Sequence, residues 1–122
     1  MKKVEIKWLD ESETHDYPAA QSYLSLVFED AKCKEIIEKL VSSKTVFYKA
    51  KDLFRASSLH LLSISNSHVK YDKKKIKKGI SLSPLLLHRD TLNGKVIIAD
   101  GFHRLCAVYS FNEDANIPCK IV

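Results

Sequence analysis

The chain has 122 residues, 45% of them hydrophobic, which suits one folded domain and argues against wholesale disorder. The formal net charge of +5 and the sequence pI of about 9.1 favour anionic partners, such as nucleic acid, an anionic membrane or phosphorylated small molecules, and identify none of them. No apolar stretch approaches the ~20 residues that cross a bilayer, and the charged N-terminus has no signal-peptide core. The three cysteines show no close pairing, which argues against a disulfide framework. We therefore expect a cytoplasmic protein without a membrane partner.

The first half of the chain is predicted to be mainly helical. Residues 4–9 alternate apolar and charged side chains, which indicates a half-exposed strand. Asp16 precedes a Tyr-Pro step and is placed to begin a helix, and Asp30 is placed to cap a second one. Residues 45–48 are β-branched and aromatic, which favours a strand, and residues 51–57 are predicted to form a short helix.

A lysine-rich helix is predicted in the middle of the chain. Residues 59–64 are apolar and fit no single element, whereas residues 66–68, Asn-Ser-His, fit a turn or a helix cap. A basic helix then covers residues 69–78, and Gly79 is well placed to end it. This helix is most simply a solvated face, but it could also form a basic wall facing a nucleotide or nucleic acid.

The last third of the chain has the strongest turn signal. Asn93 and Gly94 join two strand-like runs, residues 84–88 and 95–99, which predicts a β-hairpin. A helix is expected over residues 102–111 and a final strand over residues 118–122. The pattern predicts an α+β fold, a small mixed β-sheet with flanking helices, in a single domain.

The junction between the second hairpin strand and its helix is the best candidate site. Asp100 and Gly101 join the two elements, and a helix N-terminus attracts anions. Gly101 permits close backbone approach, Arg104 can grip phosphate oxygens in a fork, and His103 can donate to a phosphate or shuttle a proton. We therefore predict a phosphate or other anion site here.

Each of these residues also has a simpler interpretation. Gly101 could form only a tight turn, and Arg104 could pair with Asp100 or Asp114. Asp100 could act as a helix N-cap, as a catalytic base or as a Mg²⁺ ligand. Phe102 could belong to the core or form a lid over a ligand.

Residues elsewhere in the chain could extend the site. His68 could face the same pocket from another loop. Lys51 could supply a cation for phosphates, and the neighbouring Asp52 could supply a carboxylate for chemistry. Cys106 is expected to be a buried small residue, and His15 has no motif around it.

The C-terminal half resembles the core of the ParB/sulfiredoxin-like superfamily. The resemblance is carried by residues 83–89, by the turn at 93–94 and by residues 96–109. Within it, residues 100–104, Asp-Gly-Phe-His-Arg, match the family's G-x-x-R helix start, and residues 117–122 resemble its last strand. The resemblance covers about residues 45–122, whereas residues 1–44 match no part of that family and are predicted to be a mainly helical extension that covers the pocket or supports a homodimer.

This resemblance implies a nucleotide ligand. The family's G-x-x-R helix start binds CTP in ParB and ATP or ADP in other members, which implies that Gly101, His103 and Arg104 contact phosphates. Mg²⁺ is expected as a further cofactor if the protein transfers or hydrolyses phosphate. Phe102 stands where sulfiredoxins have their catalytic cysteine, so sulfinic-acid reductase chemistry is not expected.

Three functions are compatible with the sequence, and the sequence does not determine whether the protein is an enzyme. The first is a nucleotide-binding phosphotransferase or nucleotide hydrolase, with Asp100 or Asp52 as base and with His103 and Arg104 holding phosphates. The second is a module that binds a nucleotide, another anionic ligand or a partner without turnover. The third is a nucleic-acid-binding or nuclease-like protein. Nucleotide or phosphate binding is favoured over catalysis.

Overall fold

The computed structural model describes residues 5–60, 62 and 66–122. Within these residues the chain forms an α+β fold with five helices and one four-stranded mixed sheet. None of the described helices is long and apolar enough to cross a membrane. In chain order the elements are α1 (Asp16–Leu24), α2 (Asp30–Ser42), β1 (Val46–Lys49), α3 (Ala50–Ser57), α4 (Ser67–Lys77), β2 (Leu85–Asp90), β3 (Lys95–Asp100), α5 (Phe102–Phe111) and β4 (Asn116–Ile121).

The strand order in the sheet is β1-β4-β2-β3. Strand β4 pairs antiparallel with β1 and parallel with β2, and β2 and β3 form the antiparallel hairpin that the turn at Asn93 and Gly94 predicts. Cys119 on β4 lies opposite Val46 on one side and Leu85 on the other. Strand β4 therefore joins β1 to the hairpin of β2 and β3.

Both faces of the sheet are covered by helices. Leu85 and Leu87 of β2 point to one face and pack with the buried side chains of α3, α4 and α5. Leu86, between them, points to the other face and packs with the buried side chains of α1 and α2. This alternation follows from the two-residue period of a strand. The two predicted N-terminal helices are confirmed, and they form one layer against the sheet.

The strand predicted over residues 4–9 is wrong for the described residues 5–9. These residues make only a single bridge, in which Leu9 donates its N–H to the carbonyl of Leu82 at 2.8 Å and Leu82 donates to Lys7 at 2.9 Å. Pro84 lies two residues further on and has no N–H with which a ladder could continue.

The turn and cap signals are largely confirmed. The side chain of Asn66 accepts two backbone N–H groups at the start of α4, at 3.0 and 3.2 Å. Gly79 after α4 and Gly94 in the hairpin have positive φ angles of 73° and 63°. The prediction that Asp30 caps α2 is wrong, because Asp30 is the first residue of the helix. The N-cap is Glu29, whose backbone is extended and whose side chain forms no capping hydrogen bond. The other predicted helices and strands of residues 45–122 lie within two residues of their observed bounds.

A pair of leucine substitutions tests the packing of the α1–α2 layer. We expect Leu86→Ala to lower the free energy of unfolding by about 2–5 kcal/mol, because Leu86 is fully buried and the change leaves a cavity. Leu92→Ala is the matched control, since Leu92 is 96% exposed. Urea denaturation measures both. Equal losses for the two variants would contradict the described packing.

Candidate functional site

Gly101 is the hinge between β3 and α5. Its φ angle of 107° is one that residues with a side chain rarely adopt. A Cβ atom at this position would lie 2.8 Å from Cγ of Leu85 and 2.9 Å from Nη2 of Arg104. Glycine is therefore required both by the backbone conformation and by the packing of the protein itself, as the tight-turn interpretation proposes.

Asp100 and Arg104 form an ion pair across this turn. Nη2 of Arg104 lies 2.8 Å from Oδ2 of Asp100 and also donates to the carbonyl of Pro84 at 3.3 Å. The two side chains are only 17% and 16% exposed, respectively. Of the two partners that the sequence offers Arg104, Asp100 is the one it pairs with, and Asp114 pairs elsewhere. The N-cap of α5 is Gly101, so Asp100 is not the cap that the sequence allowed it to be.

Helices α4 and α5 start side by side. The rings of His68 and His103, each in the first turn of its helix, lie 4.7 Å apart between centroids with a tilt of 37°. Further along, Nζ of Lys73 lies 5.0 Å from the ring centroid of Phe111. The two helices therefore run in the same direction, and their positive dipole ends meet at the histidine pair.

Burial changes the pKa of three groups at this place. Burial lowers the pKa of His103, and the charge of His68 acts in the same direction. Burial raises the pKa values of Asp72 and Asp100, although the guanidinium of Arg104 opposes both shifts. A carboxyl group with a raised pKa holds a proton more readily than usual.

A polar cavity of about 260 Å³ lies at the junction. It is lined by four junction residues and by three residues of α4: Asp100, Gly101, His103, Arg104, His68, Tyr71 and Asp72. A second cavity of about 320 Å³ shares Asp100, Gly101 and His103 with the first and is otherwise lined mainly by apolar side chains, including Tyr23, Leu59 and Phe102. The junction thus has a polar flank and an apolar flank.

Two predicted site residues lie outside the junction. Lys51 forms an ion pair with Asp114 at 2.6 Å, and Asp52 is exposed, 3.7 Å from Arg55. Neither lines the cavities at the junction. The start of α3 is fixed beside the turn that precedes β4, since the backbone N–H of Lys51 donates to the carbonyl of Glu113 at 2.9 Å.

The other predicted site residues are brought together. His68 lines the polar cavity with Gly101, His103 and Arg104, as the sequence suggested. Phe102 is partly buried, packs against the core and meets the ring of Phe54 at 6.1 Å, but it also lines the apolar cavity.

Sequence reasoning missed Tyr71 and Asp72 at the cavity. Residues four apart lie on the same face of a helix, so the spacing of Asp72 from His68 is the signal that could have found it. No role was predicted for His15, which lies with Glu13 and Asp16. This group is close to Asp100, because the charge of Asp16 raises the pKa of Asp100 and the charge of His15 lowers it.

The chain matches no known family model, no curated protein and no solved structure. Its class is therefore defined by its own features, an α+β fold with a polar cavity at a strand–helix junction. The resemblance to the ParB/sulfiredoxin-like superfamily stays a prediction.

Two glycine substitutions separate packing from backbone strain at the junction. We expect Gly101→Ala to lower the free energy of unfolding by more than about 1 kcal/mol, since it adds a steric clash with Leu85 and Arg104 to the cost of a positive φ angle. Gly94→Ala is the control, because its φ angle is also positive and a Cβ there meets nothing within 4 Å. Chemical denaturation of both variants gives the difference. If Gly101→Ala costs no more than Gly94→Ala, the close approach is not a constraint.

Proposed function

We propose that this protein binds a nucleotide or another phosphate compound at the Asp100–Arg104 junction. The observation that carries the proposal is the meeting of two helix starts at one polar cavity, with the rings of His68 and His103 4.7 Å apart between centroids. The proposal agrees with the ligands that the ParB/sulfiredoxin-like resemblance implies, ATP, ADP or CTP.

The dipoles of α4 and α5 support an anionic ligand. Two parallel helices that start side by side place two partial positive charges together, and each is stabilised by a nearby anion, by about 0.3–1 kcal/mol. At α4 the Asn66 side chain already accepts two of the first N–H groups. At α5 the N-cap is Gly101, which has no side chain to accept any, so the first turn of α5 is the better place for phosphate oxygens.

The histidine pair supplies further donors. A neutral imidazole donates one N–H, and an imidazolium donates two. In the free protein burial disfavours the charged form of His103, and a bound anion would favour it. Phosphate binding and protonation of His103 are therefore expected to reinforce each other.

Arg104 contributes mainly charge and shape. Its Nη2 already bonds Asp100 and Pro84, and among the described residues its buried Nε has no hydrogen-bond partner. The guanidinium also holds Asp100 against the turn.

A Mg²⁺ ion at Asp100 would lie beside a fixed cation. Oδ2 of Asp100 accepts from the guanidinium of Arg104 at 2.8 Å, which opposes binding of a metal ion by this carboxylate. The proposal therefore concerns binding of the phosphate group by histidines and backbone N–H groups. Turnover would be a further step, with Asp100 as base, since Asp52 does not line the polar cavity.

One observation favours a second candidate function, nucleic-acid binding. Four lysines of α4 line a shallow groove of about 180 Å³: Lys70, Lys73, Lys74 and Lys77. Within the described part of the chain none of them forms an ion pair with a carboxylate. Binding to a phosphate backbone through this groove would weaken steeply with added salt.

A ligand screen tests the proposed function. We expect ATP, ADP, CTP or inorganic phosphate to raise the melting temperature, since a ligand of the native state stabilises it. His68→Ala and His103→Ala should each weaken binding by about tenfold, the loss of one charge-assisted hydrogen bond. His60→Ala is the control, because His60 is exposed and lines neither junction cavity.

Two results would contradict the proposed function. One is the absence of any shift with every probe. The other is unchanged affinity in both His68→Ala and His103→Ala, which would move the ligand to another surface. Loss on neutralising Lys70 and Lys74, together with steep salt dependence, would favour the nucleic-acid alternative instead.

The protonation of His103 gives an independent test. Burial holds its pKa below the ordinary value of 6.5, and bound sulfate, an anion of constant charge near neutral pH, should raise it. By linkage, sulfate affinity should then rise as the pH falls through the bound-state pKa. NMR titration of the ring protons, with and without saturating sulfate, measures the shift, and His60 serves as the internal reference. An unchanged pKa of His103 would place the anion elsewhere.

A further inference from the structure

A second group of polar side chains converges just before α1. Nε2 of His15 lies 2.9 Å from Oε2 of Glu13 and 3.4 Å from Oδ1 of Asp16. One possible ligand atom from each residue lies within 4.8 Å of the other two, and within the described ranges no other three histidine, cysteine or acidic residues come together in this way. These residues do not line the polar cavity of the junction.

We propose that Glu13, His15 and Asp16 bind a divalent transition-metal ion of the Zn²⁺ class. One imidazole nitrogen and two carboxylate oxygens suit such an ion better than Mg²⁺ or Ca²⁺, which prefer oxygen ligands alone. Bonds of about 2.0–2.2 Å put neighbouring ligands of a tetrahedral ion roughly 3.3–3.6 Å apart. The observed separations of His15 from Glu13 and Asp16, 2.9 and 3.4 Å, lie close to this range, and the oxygens of Glu13 and Asp16 lie within 4.8 Å of each other.

The central ligand is held in place from outside the cluster. Asp16 is only 3% exposed, and its Oδ2 accepts the hydroxyl of Ser83, which precedes β2 and lies 67 residues away in sequence. The backbone N–H of Glu13 also donates to Oδ2, at 3.2 Å. Oδ1 is left facing His15. Hydrogen bonds that fix the outer oxygen of a carboxylate in this way are typical of metal ligands.

The local charge balance also calls for a cation. Asp16 and Asp100 are two buried or largely buried carboxyls close enough for Asp16 to raise the pKa of Asp100. Arg104 pairs with Asp100, whereas the only ion-pair partner of Asp16 among the described residues is His15, which is 75% exposed. An exposed side chain, screened by water, compensates the charge of a buried carboxylate only in part. A bound divalent ion would supply that charge.

Calorimetric titration with Zn²⁺ tests the site. At a mildly alkaline pH, where imidazoles are neutral, we expect one tight Zn²⁺ per chain, and His15→Ala and Glu13→Gln should each weaken it by about tenfold or more. Glu13→Gln changes a partly exposed side chain and keeps its shape, so it keeps the test valid if another variant fails to fold. Mg²⁺ should not compete.

Two histidine variants serve as controls. His60→Ala reports on adventitious binding by an exposed histidine, and His68→Ala removes one ring of the His68–His103 pair, the other place where imidazoles gather. Both should keep the affinity of the wild type for Zn²⁺. The proposal is overturned if no tight Zn²⁺ is bound, if His15→Ala binds as the wild type does, or if the loss follows His68→Ala instead. It does not depend on the phosphate site, and phosphate binding by His15→Ala reports on that site separately.

Discussion

The missing Cβ atom at Gly101 lets β2, β3 and α5 meet at one point. Leu85 and the guanidinium of Arg104 occupy the space that a side chain at position 101 would need. From there the guanidinium donates to Asp100 and to the carbonyl of Pro84. Because this ion pair is largely buried, removing one partner leaves an uncompensated charge, which is costly. The direction in which α5 leaves the sheet, and hence the position of His103, depends on this contact.

The site combines a local element with a distant one. The turn into α5 is encoded in a few consecutive residues, whereas the partner helix α4 comes from an earlier part of the chain and is fixed at its start by the Asn66 side chain. Packing of α4 on α5 brings two positive helix ends together, an arrangement that costs electrostatic energy in the absence of an anion. The hydrophobic contacts of Val69 and Ile76 with the common core offset that cost.

Most of the fold could be predicted from the sequence because its signals are local. Caps, hairpin residues and apolar spacing gave the elements from residue 45 onward, and the junction at Gly101 was visible as a strand running into a helix. The described residues 5–9 do not form the predicted strand, because their pairing with Leu82 cannot continue past Pro84, which is far away in sequence. The same limit applies to Lys51, whose position near Asp114 depends on the order of strands in the sheet, and to Asp16, whose burial depends on Ser83. Such contacts join residues that are distant in sequence, so no local pattern of residues predicts them.

The position of β4 in the sheet affects how the chain can fold as it is made. Strand β1 finds its only described strand partner in β4, some seventy residues later in the chain, and β2 reaches β1 only through β4. A ribosome that adds about 5–20 residues per second therefore produces the N-terminal helices and β1 several seconds before that partner exists. Until residues 116–121 have emerged, the exposed strand β1, with Phe47 and Tyr48, is open to pairing with other chains. The nascent chain is thus open to such pairing from the emergence of β1 until residues 116–121 have emerged.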